Sequence, residues 1–441
     1  MKSDRVVPVA IVGGGFSGTM IAAQLARRGI GSILIDGSGR AGRGVAYSTA
    51  EPAHLLNVRA DGMSAWADEP DHFASRFEAE GGDKRGFAER RLFGRYLGEI
   101  LDEAVAAGKT DVAHVSALRA NAADGGWQVE LDDGETVHAE VLVLAVGNQE
   151  PEPLSAFTGA RARFISNPWG TAAQAAVKDL AASGDSALLV GTGLTMVDLV
   201  LSLDAAGHRG RIVALSRRGL IPRSHADFES APVVEEELPN GNLRALWRWL
   251  RRRGAEVGWR AAVDSLRPYS QALWQGLDDD QQRRFLRHAR PWWDVHRHRI
   301  APEVARTVAQ MIGEGRLEVV AGRIISARED GDGLDVEFRK RGARAPQTTR
   351  FAYAFNCTGP LHSIGRTRDP LLRSLFDAGQ IRPDRLGIGL DVDDRSRAMG
   401  GGRLWALGPL TKGRYWEIIA VPDIRGQAAA VAQDIATELG R

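Results

Sequence analysis

Residues 6–36 have the sequence VVPVAIVGGGFSGTMIAAQLARRGIGSILID, and this stretch decides the fold. Its first seven residues are apolar and rich in β-branched side chains, which predicts a buried parallel strand over residues 6–12. The glycine-rich turn that follows leads into a helical pattern that runs to Arg28. A second short apolar run predicts a strand over residues 32–35. Strand, helix and strand in this order form a βαβ unit.

The turn of this unit carries the spacing Gly13-x-Gly15-x-x-Gly18, which is typical of a dinucleotide-binding fingerprint. The first glycine permits a tight turn, the second lets a pyrophosphate approach the backbone, and the third allows the helix to pack closely on the strand. The helix N-terminus then offers free N–H groups to the phosphates, and an acid that ends the second strand can accept the ribose hydroxyls. The alternative is a purely structural βαβ turn. The predicted contacts are Gly13, Gly15, Phe16, Ser17, Gly18 and Asp36.

A second turn of this kind is predicted at Gly191-x-Gly193-x-x-Met196, between a strand over 186–190 and a helix over 194–206. Because a methionine replaces the third glycine, helix and strand should lie slightly further apart. The next strand ends in two arginines with no acid, which suits a 2′-phosphate and favours NADPH over NADH, unless both arginines are merely solvated. The predicted contacts are Gly191, Gly193, Leu194, Thr195, Arg217 and Arg218.

Two nucleotide sites in one chain imply electron transfer between two cofactors, with FAD at the first site and NADPH or NADH at the second. Ala145-Val-Gly147 and Cys357-Thr-Gly359 are similar to the crossover segments that lead out of the two nucleotide domains of flavoproteins. The chain most closely resembles the bacterial FAD/NAD(P)-binding proteins that include two-dinucleotide-domain flavin monooxygenases. Further similar segments are Leu56-Asn57, Met63-Ser64, Pro168-Trp169 and residues 91–96, 293–299 and 408–427. The resemblance implies cofactor contacts by Asn57, Met63, Ser64, Gly147, Gly359, Gly408 and Pro409.

The predicted fold class is α/β, with two Rossmann-like dinucleotide-binding domains. Residues 1–165 are expected to form the first part of the FAD-binding domain and residues 166–349 the NAD(P)-binding domain. Residues 225–300 are polar, helical in pattern and hold six of the 11 tryptophans, which predicts a helical insertion that caps the nicotinamide and substrate. The resemblance further implies that residues 350–441 return to the FAD-binding domain, with a helix from about Ile424 that points its N-terminus at the flavin.

Composition narrows the function classes. Lys and Arg total 57 against 56 Asp and Glu, so neither nucleic acid nor an anionic membrane is the expected partner. Cys357 is the single cysteine, which excludes a catalytic dithiol, a disulfide and a cysteine-rich metal site. His296 and His298 are two residues apart without a carboxylate cluster, so no metal site is predicted. No segment resembles a membrane span or a cleaved signal, and the cytoplasm is the expected location.

One motif of the wider superfamily is degraded. N-hydroxylating and Baeyer–Villiger enzymes often carry Phe-x-Gly-x-x-x-His-x-x-x-Trp/Tyr before the second nucleotide site. Phe157-x-Gly159 begins correctly, but Arg163 and Asn167 stand where histidine and the aromatic residue are expected. This departure argues against both assignments and leaves the flavoprotein prediction unchanged.

The resemblance implies a monooxygenase in which NAD(P)H reduces the flavin, O2 gives a C4a-hydroperoxide, and one oxygen passes to a small polar anionic metabolite. Urate-type hydroxylation is favoured and amino-acid N-hydroxylation is the first alternative. Candidates for binding the substrate anion are Arg297, Arg299 and Arg414. No catalytic acid or base is assigned. An NAD(P)H oxidoreductase without oxygenation and a non-catalytic dinucleotide-binding module both stay open, as does the oligomeric state.

Overall fold

The computed structural model describes residues 5–160 and 162–441. The strands are β1 (Arg5–Val12), β2 (Ser32–Ile35), β3 (Thr110–Ala113), β4 (Ala117–Ala123), β5 (Gly126–Leu131), β6 (Thr136–Leu144), β7 (Phe164–Ile165), β8 (Ala187–Val190), β9 (Ile212–Ser216), β10 (Leu317–Asp330), β11 (Gly333–Lys340), β12 (Gln347–Phe351), β13 (Tyr353–Asn356) and β14 (Leu404–Ala406). The helices are α1 (Phe16–Arg27), α2 (Gly44–Tyr47), α3 (His72–Ala79), α4 (Arg90–Ala106), α5 (Thr171–Ser183), α6 (Leu194–Ala205), α7 (Leu243–Val257), α8 (Trp259–Ser265), α9 (Ser270–Gln275), α10 (Asp279–Arg284), α11 (Arg290–Arg297), α12 (Pro302–Gly313), α13 (Pro370–Asp377) and α14 (Val421–Glu438).

The first sheet has the order β3-β2-β1-β6-β5-β4. Strands β1, β2, β3 and β6 are parallel, and the hairpin of β4 and β5 joins the first half of β6 antiparallel. Strand β14 pairs in parallel with the second half of β6, so a C-terminal strand closes this sheet. The predicted βαβ unit is confirmed, because β1, α1 and β2 follow one another and β1 pairs with β2 in parallel.

Helices α1, α4 and α14 cover one face of this sheet, and their apolar side chains form one core with β1 and β6. Helix α14 packs on α1 through small buried residues such as Ala428 and Ala432, which let the two backbones approach closely. Strand β14 and helix α14 thus pack with the sheet that holds the first glycine-rich turn. Helix α14 begins at Val421, three residues before the predicted start.

The second sheet has the order β12-β11-β10-β9-β8-β13-β7. Strand β8, helix α6 and strand β9 repeat the βαβ unit of the first domain, as predicted. Strand β10 is parallel to β9 over its first residues and then antiparallel to β11, which forms the edge hairpin with β12. Both β7 and β13 lie in this sheet, although their residues were expected in the flanking FAD-domain segments.

The apolar run at residues 351–356 was expected to form one strand and forms parts of two. Strand β12 ends at Phe351 because its partner is the antiparallel β11, whereas β13 begins at Tyr353 and pairs in parallel with β8. The change of partner and direction needs the one-residue break between them.

Helices α7 to α11 form the helical insertion, with a five-residue π-helical turn at Phe285–Ala289 before α11. The insertion has its own core, built around Trp249, Trp274 and Trp293. Trp416, from the segment before α14, stacks on Trp274 with ring centroids 4.8 Å apart. The insertion therefore packs on the C-terminal part of the first domain. Among the described helices, none is both long and apolar enough to cross a membrane.

Candidate cofactor and substrate site

The first glycine-rich turn has no room for side chains at two of its three glycines. Gly13 has φ +104°, and a Cβ there would lie 2.4 Å from the carbonyl oxygen of Ala145. A Cβ at Gly18 would lie 1.8 Å from the carbonyl oxygen of Gly13. At Gly15 the nearest atom to a Cβ, the Cα of Gly44, is 3.7 Å away. Gly15 is thus the glycine of the motif at which a ligand has room to approach the backbone.

Helix α1 begins beside that space and its N-terminus carries no internal anion. Gly15 is the N-cap, no side chain caps the helix, and no acid occurs in the first turn. Phe16 and Ser17, the first two helical residues, are buried. The unpaired N–H groups and the positive end of the helix dipole fit a pyrophosphate. The turn therefore fits the phosphate part of FAD.

Asp36 follows β2 and is almost fully buried. Its carboxylate accepts hydrogen bonds from the N–H of Gly14 at 2.5 Å, the N–H of Ser38 at 2.8 Å and the Ser38 hydroxyl at 2.5 Å. An ionised carboxylate has about four acceptor positions, so most are in use. Asp36 braces the glycine turn, and its contact with the ribose stays a prediction.

The second turn repeats the geometry of the first. Gly191 has φ +119°, and a Cβ there would lie 2.2 Å from the carbonyl oxygen of Cys357. The N–H of Gly191 donates to Leu215 at 2.8 Å, as the N–H of Gly13 donates to Ile35 at 2.9 Å. In each domain a crossover segment thus lies directly against the first glycine of its turn.

Helix α6 begins after Gly193 and, like α1, has neither a side-chain cap nor an acid in its first turn. Leu194 and Thr195 are its first, partly exposed residues. Met196, at the position of the missing third glycine, is fully buried. The second turn therefore also offers free N–H groups to phosphate.

The end of β9 carries the residues that were expected to select the nicotinamide cofactor. The hydroxyls of Ser216 and Thr192 lie 2.9 Å apart, at the place where Asp36 meets Gly14 in the first domain. Arg217 is exposed and Arg218 partly exposed. Within residues 5–160 and 162–441 neither arginine forms an ion pair, so both are available for a 2′-phosphate. Their role stays a prediction.

The segment between β14 and α14, residues 407–420, is here called the strap. Gly408 has φ +67°, and a Cβ there would lie 2.5 Å from the hydroxyl oxygen of Ser17. Its N–H donates to Gln427 of α14 at 2.8 Å, and Gln427 in turn donates to the Thr411 hydroxyl at 3.0 Å. Pro409 lies in the short 3-10 turn that follows. The strap is thus held against the N-terminus of α1, as expected of a flavin-contacting segment.

The loop that holds Asn57, Met63 and Ser64 is tied to two other elements. The imidazole N–H of His225 donates to the carbonyl of Asn57 at 3.0 Å, and Arg425 of α14 donates to the carbonyl of Ser64 at 2.7 Å. Burial lowers the pKa of His225 to about 4, so its ring is neutral at pH 7. Met63 is buried.

The crossover glycines Gly147 and Gly359 both have positive φ, +67° and +93°. No other atom lies within 4 Å of a Cβ built at either position, so the backbone there is open. Both glycines remain predicted cofactor contacts.

A buried ion pair joins the two domains, and sequence reasoning missed it. Arg90, at the start of α4, donates to both carboxylate oxygens of Asp198 in α6, each at 2.8 Å. Their side chains are 13% and 8% exposed. The Nε2 of His54 lies 2.9 Å from the backbone carbonyl of Asp198. The orientation of the two nucleotide turns is therefore fixed by polar contacts as well as by packing.

Two of the three candidate arginines for the substrate anion are already paired. Arg299 is buried and bonded to the carboxylate of Asp264, and Arg297 lies 3.5 Å from Glu417 of the strap. Arg414 has a buried Nε without a hydrogen-bond partner. Internal carboxylates thus compete for the two insertion arginines.

Glu417 links the strap to the insertion. It is buried, has φ +69°, and accepts a hydrogen bond from the indole N–H of Trp293 at 2.9 Å. Burial alone raises the pKa of this carboxyl, but the charges of His298 and Arg297 and the Trp293 bond hold it far below its usual range. The ionised carboxylate of Glu417 therefore holds the insertion on the strap. In the sequence, the only indication of this role was that Glu417 lies within residues 408–427, a segment similar to the flavoprotein family.

A groove of about 1710 Å³ opens on the insertion. Its lining includes Trp292 and four arginines that make no ion pair among the described residues: Arg244, Arg248, Arg251 and Arg284. The nucleotide turns do not contribute to it. In the part of the chain that the structure describes, no group of three or more His, Cys, Asp or Glu is placed to hold a metal ion.

Comparison with known proteins agrees with this geometry. Residues 10–149 match the model of a family described as FAD-NAD(P)-binding. A search of curated proteins finds no match.

Solved structures give the likeness of the whole chain. L-Lysine 6-monooxygenase from Pseudomonas syringae has a TM-score of 0.68 at 17% identity, covering 98% of this chain and 99% of that one. Ornithine N-hydroxylase from Kutzneria sp. 744, solved with reduced FAD, NADP+ and L-ornithine, has a TM-score of 0.65 at 15% identity, covering 98% and 100%. Thioredoxin reductase from T. acidophilum has a TM-score of 0.56 at 12% identity, covering 99% and 100%.

These identities are low, so the structural likeness establishes the fold. The predicted resemblance and the predicted fold class are confirmed at that level. The chain thus contains an FAD/NAD(P)-binding domain and has the fold of the two-dinucleotide-domain flavoprotein monooxygenases and reductases.

Proposed function

We propose that this protein is an NAD(P)H-dependent flavin monooxygenase that hydroxylates a small polar anionic metabolite. The observation that carries the proposal is the pair of equivalent turns, each with an uncapped helix N-terminus and a crossover segment packed on its first glycine. Two such turns in one chain supply sites for a hydride donor and a flavin. Bound FAD supplies two-electron chemistry: NAD(P)H, H+, O2 and substrate give NAD(P)+, water and hydroxylated substrate.

The chain's own residues bind, orient and shield. The N–H groups at the starts of α1 and α6 would hold the pyrophosphates, and the strap lies against Ser17, where the flavin end of the first site is expected. The Arg90–Asp198 pair fixes the relative orientation of the two domains. The insertion packs on the strap through Trp416, and this packing would shield the flavin end of the site from water.

The cysteine content separates this proposal from the reductases of the same fold. A dithiol reductase needs two sulfurs, and Cys357 is the single cysteine of the chain. Its thiol is buried, and burial followed by the charge of Asp198 raises its pKa well above the usual range. Electrons that reach the flavin therefore pass to oxygen or to an external acceptor.

Amino-acid N-hydroxylation gains support as the substrate class. Two of the similar structures are named as lysine and ornithine hydroxylases, and both have higher TM-scores than the thioredoxin reductase. An amino acid also satisfies the expectation of a small substrate with an anionic group. We therefore place it ahead of the urate-type reaction that the sequence favoured.

Urate-type hydroxylation is the second candidate, and one observation favours it. Arg163 stacks over the ring of Tyr353 at 4.9 Å, and Asn167 accepts from the N–H of Trp169 and donates to Glu150. Arg163 and Asn167 stand where N-hydroxylating enzymes often carry a histidine and an aromatic residue, and both side chains make local contacts instead. The absence of that motif argues against N-hydroxylation and so favours the urate-type reaction.

The test is NADPH oxidation by the purified flavin-loaded protein with L-ornithine, L-lysine, L-aspartate and urate. We expect one compound to accelerate NADPH oxidation and to yield one hydroxylated product per NADPH. Peroxide equal to the NADPH consumed, with no product from any compound, would contradict oxygenation and leave an oxidoreductase. A protein that does not bind FAD would contradict every enzymatic proposal.

A further inference from the structure

The strap carries a buried cation that has no carboxylate partner. Lys412 lies four residues after Gly408, and its residue exposure is 7%. Its ammonium makes no hydrogen bond and no ion pair within 4.0 Å among the residues that the structure describes. A buried ammonium without a partner is costly to the fold, so its retention needs a reason.

The surroundings of Lys412 are rich in positive charge. Its Nζ lies 4.9 Å from the ring centroid of Trp416, a cation–π contact that offsets part of the cost of burial but supplies no counter-ion. Burial, followed by the charge of Arg290, lowers the pKa of Lys412 to about 8, while Asp294 and Glu417 oppose this shift. Both acids have other partners: Asp294 is 3.2 Å from Arg290, and Glu417 pairs with Arg297 and His298. Lys412 is therefore the cation of this cluster that is left without a counter-ion.

His362, in the segment after β13, is a second polar side chain on which the charge of Lys412 acts. It lies three residues after the crossover glycine Gly359, and burial, followed by the charges of Lys412 and Arg290, lowers its pKa to about 3. Its ring is therefore neutral at pH 7, with one donor and one acceptor nitrogen. Neither nitrogen has a hydrogen-bond partner in the described part of the chain.

The choice of lysine is unusual for this chain. Six of its 57 basic residues are lysines, and Lys412 is the buried one among those that the structure describes. Arginine would keep its charge at any pH, whereas a lysine in this environment titrates near neutrality. Its compact head also suits a single anionic group between two packed segments.

We propose that Lys412 forms the anion subsite of the substrate pocket, which takes a compact anion with planar oxygens such as a carboxylate, and that the neutral ring of His362 adds a hydrogen bond to this anion. This inference rests on the proposed function and deepens it, because it assigns the substrate anion to the strap. It replaces Arg297 and Arg299, whose guanidinium groups are paired with Glu417 and Asp264. A carboxylate and a urate anion share this chemistry.

The first experiment measures binding without turnover. Thermal unfolding of the flavin-loaded protein is followed with L-aspartate, L-ornithine, acetate or urate, each at one ionic strength fixed with NaCl. We expect at least one of these anions to raise the Tm of the wild type, to have little effect on Lys412→Met, and to act again on Lys412→Arg. The compounds that act distinguish a carboxylate from a urate site. Without any anion, Lys412→Met should unfold at a higher temperature than the wild type, because it removes a buried unpaired charge.

The second experiment follows the pH dependence of binding by calorimetry, with the tightest anion of that set. Affinity should fall above about pH 8 in the wild type, because the ammonium that binds the anion is lost, and it should stay constant in Lys412→Arg. At pH 7 Lys412→Met should weaken binding about 10- to 100-fold, the effect of one charge-assisted hydrogen bond. His362→Phe should weaken it less and keep the pH dependence.

Lys340→Met is the matched control, since Lys340 is a partly exposed lysine paired with Glu318. It should bind the anion as the wild type does. The subsite is refuted if no anion raises the wild-type Tm, or if Lys412→Met binds as tightly as the wild type. Anion binding lost in Lys412→Met, with no oxygenated product from the wild type, would leave the subsite standing and refute the proposed function. An oxygenated product from the wild type, together with a substrate KM that is unchanged in Lys412→Met, would support the proposed function and refute the subsite.

Discussion

The buried pair between the domains offers a sharp test of how this molecule is held together. Asp198→Asn keeps the shape of the side chain but removes the charge that faces Arg90. The guanidinium then stays in a site where it is 13% exposed, with its hydrogen bond to the carbonyl of Leu55 at 3.0 Å and one neutral acceptor, the new amide oxygen, in place of the carboxylate. The bond from His54 survives, because it goes to the backbone carbonyl of Asp198. The variant therefore isolates the loss of one charge pair.

The expected cost is several kcal/mol. Breaking a buried ion pair by removing one partner typically costs about 3–5 kcal/mol, because a charge is left without compensation. The variant loses one charge-assisted bond, worth about 1.5–3 kcal/mol, weakens the other to a neutral bond, and leaves the guanidinium charge uncompensated. A loss of about 3 kcal/mol lowers the Tm of a domain of about 200 residues by about 6–12 °C. Replacing both partners, in Arg90→Met with Asp198→Leu, should restore most of the loss, since an apolar pair leaves no buried charge.

Urea unfolding followed by tryptophan fluorescence and by flavin release measures these differences. Asp377→Asn is the matched control, because Asp377 forms an exposed i,i+4 pair with Arg373 and should cost less than about 1 kcal/mol. If Asp198→Asn were no more destabilised than this control, the pair would not hold the domains. If the double variant were as unstable as the single one, packing rather than charge would explain the effect.

Three further outcomes are expected. Gly15→Ala should fold normally, because a Cβ there meets no atom closer than 3.7 Å, but the purified protein should lack flavin absorbance. A variant that stays yellow would refute the first site. Gly18→Ala should instead unfold at a lower temperature than the wild type, because its Cβ would lie 1.8 Å from a carbonyl oxygen. Arg217→Ala should raise the KM for NADPH about tenfold or more and leave the KM for NADH nearly unchanged. Steady-state rates with both cofactors measure these values. Equal effects on the two KM values would refute the role of Arg217 in binding the 2′-phosphate. Glu417→Gln should be less stable than the wild type at pH 7. Because the folded-state pKa of Glu417 lies below its unfolded value, this difference in stability should shrink as the pH falls below about 4. A difference in stability that does not change with pH would contradict the role of the ionised Glu417 carboxylate.

The nucleotide turns could be predicted because the information is local. Strand, turn, helix and second strand of the first unit lie within residues 6–36, and hydrophobic period and glycine spacing define each of them. The same holds for β8, α6 and β9. In the structure even the contact between crossover and turn is repeated, at Gly13 and Gly191.

The pairing of the charged residues could not be predicted, because it depends on contacts between distant segments. Arg90 and Asp198 are 108 residues apart, and Trp293 and Glu417 are 124 apart. Sequence alone showed Arg297 as a free cation near a similar motif. An arginine that binds a ligand and an arginine that binds an internal carboxylate have the same sequence signature.

The two buried charges of the strap, Glu417 and Lys412, differ in whether they have a partner of opposite charge, and this difference indicates the role of each. Glu417 is held by Arg297, His298 and Trp293 in a backbone conformation, φ +69°, that a residue with a side chain rarely adopts. That strain of about 1 kcal/mol or more is offset by the Trp293 hydrogen bond and by two cations 3.5 Å from the carboxylate, so Glu417 fixes the insertion on the strap. Lys412, five residues earlier, has an ordinary helical backbone conformation, and its ammonium lies 4.9 Å from the Trp416 ring centroid but pairs with no carboxylate among the described residues. The anchor is complete without Lys412, and the aromatic ring offsets only part of the cost of burying its charge, so an external anion is the counter-ion that the proposed subsite supplies.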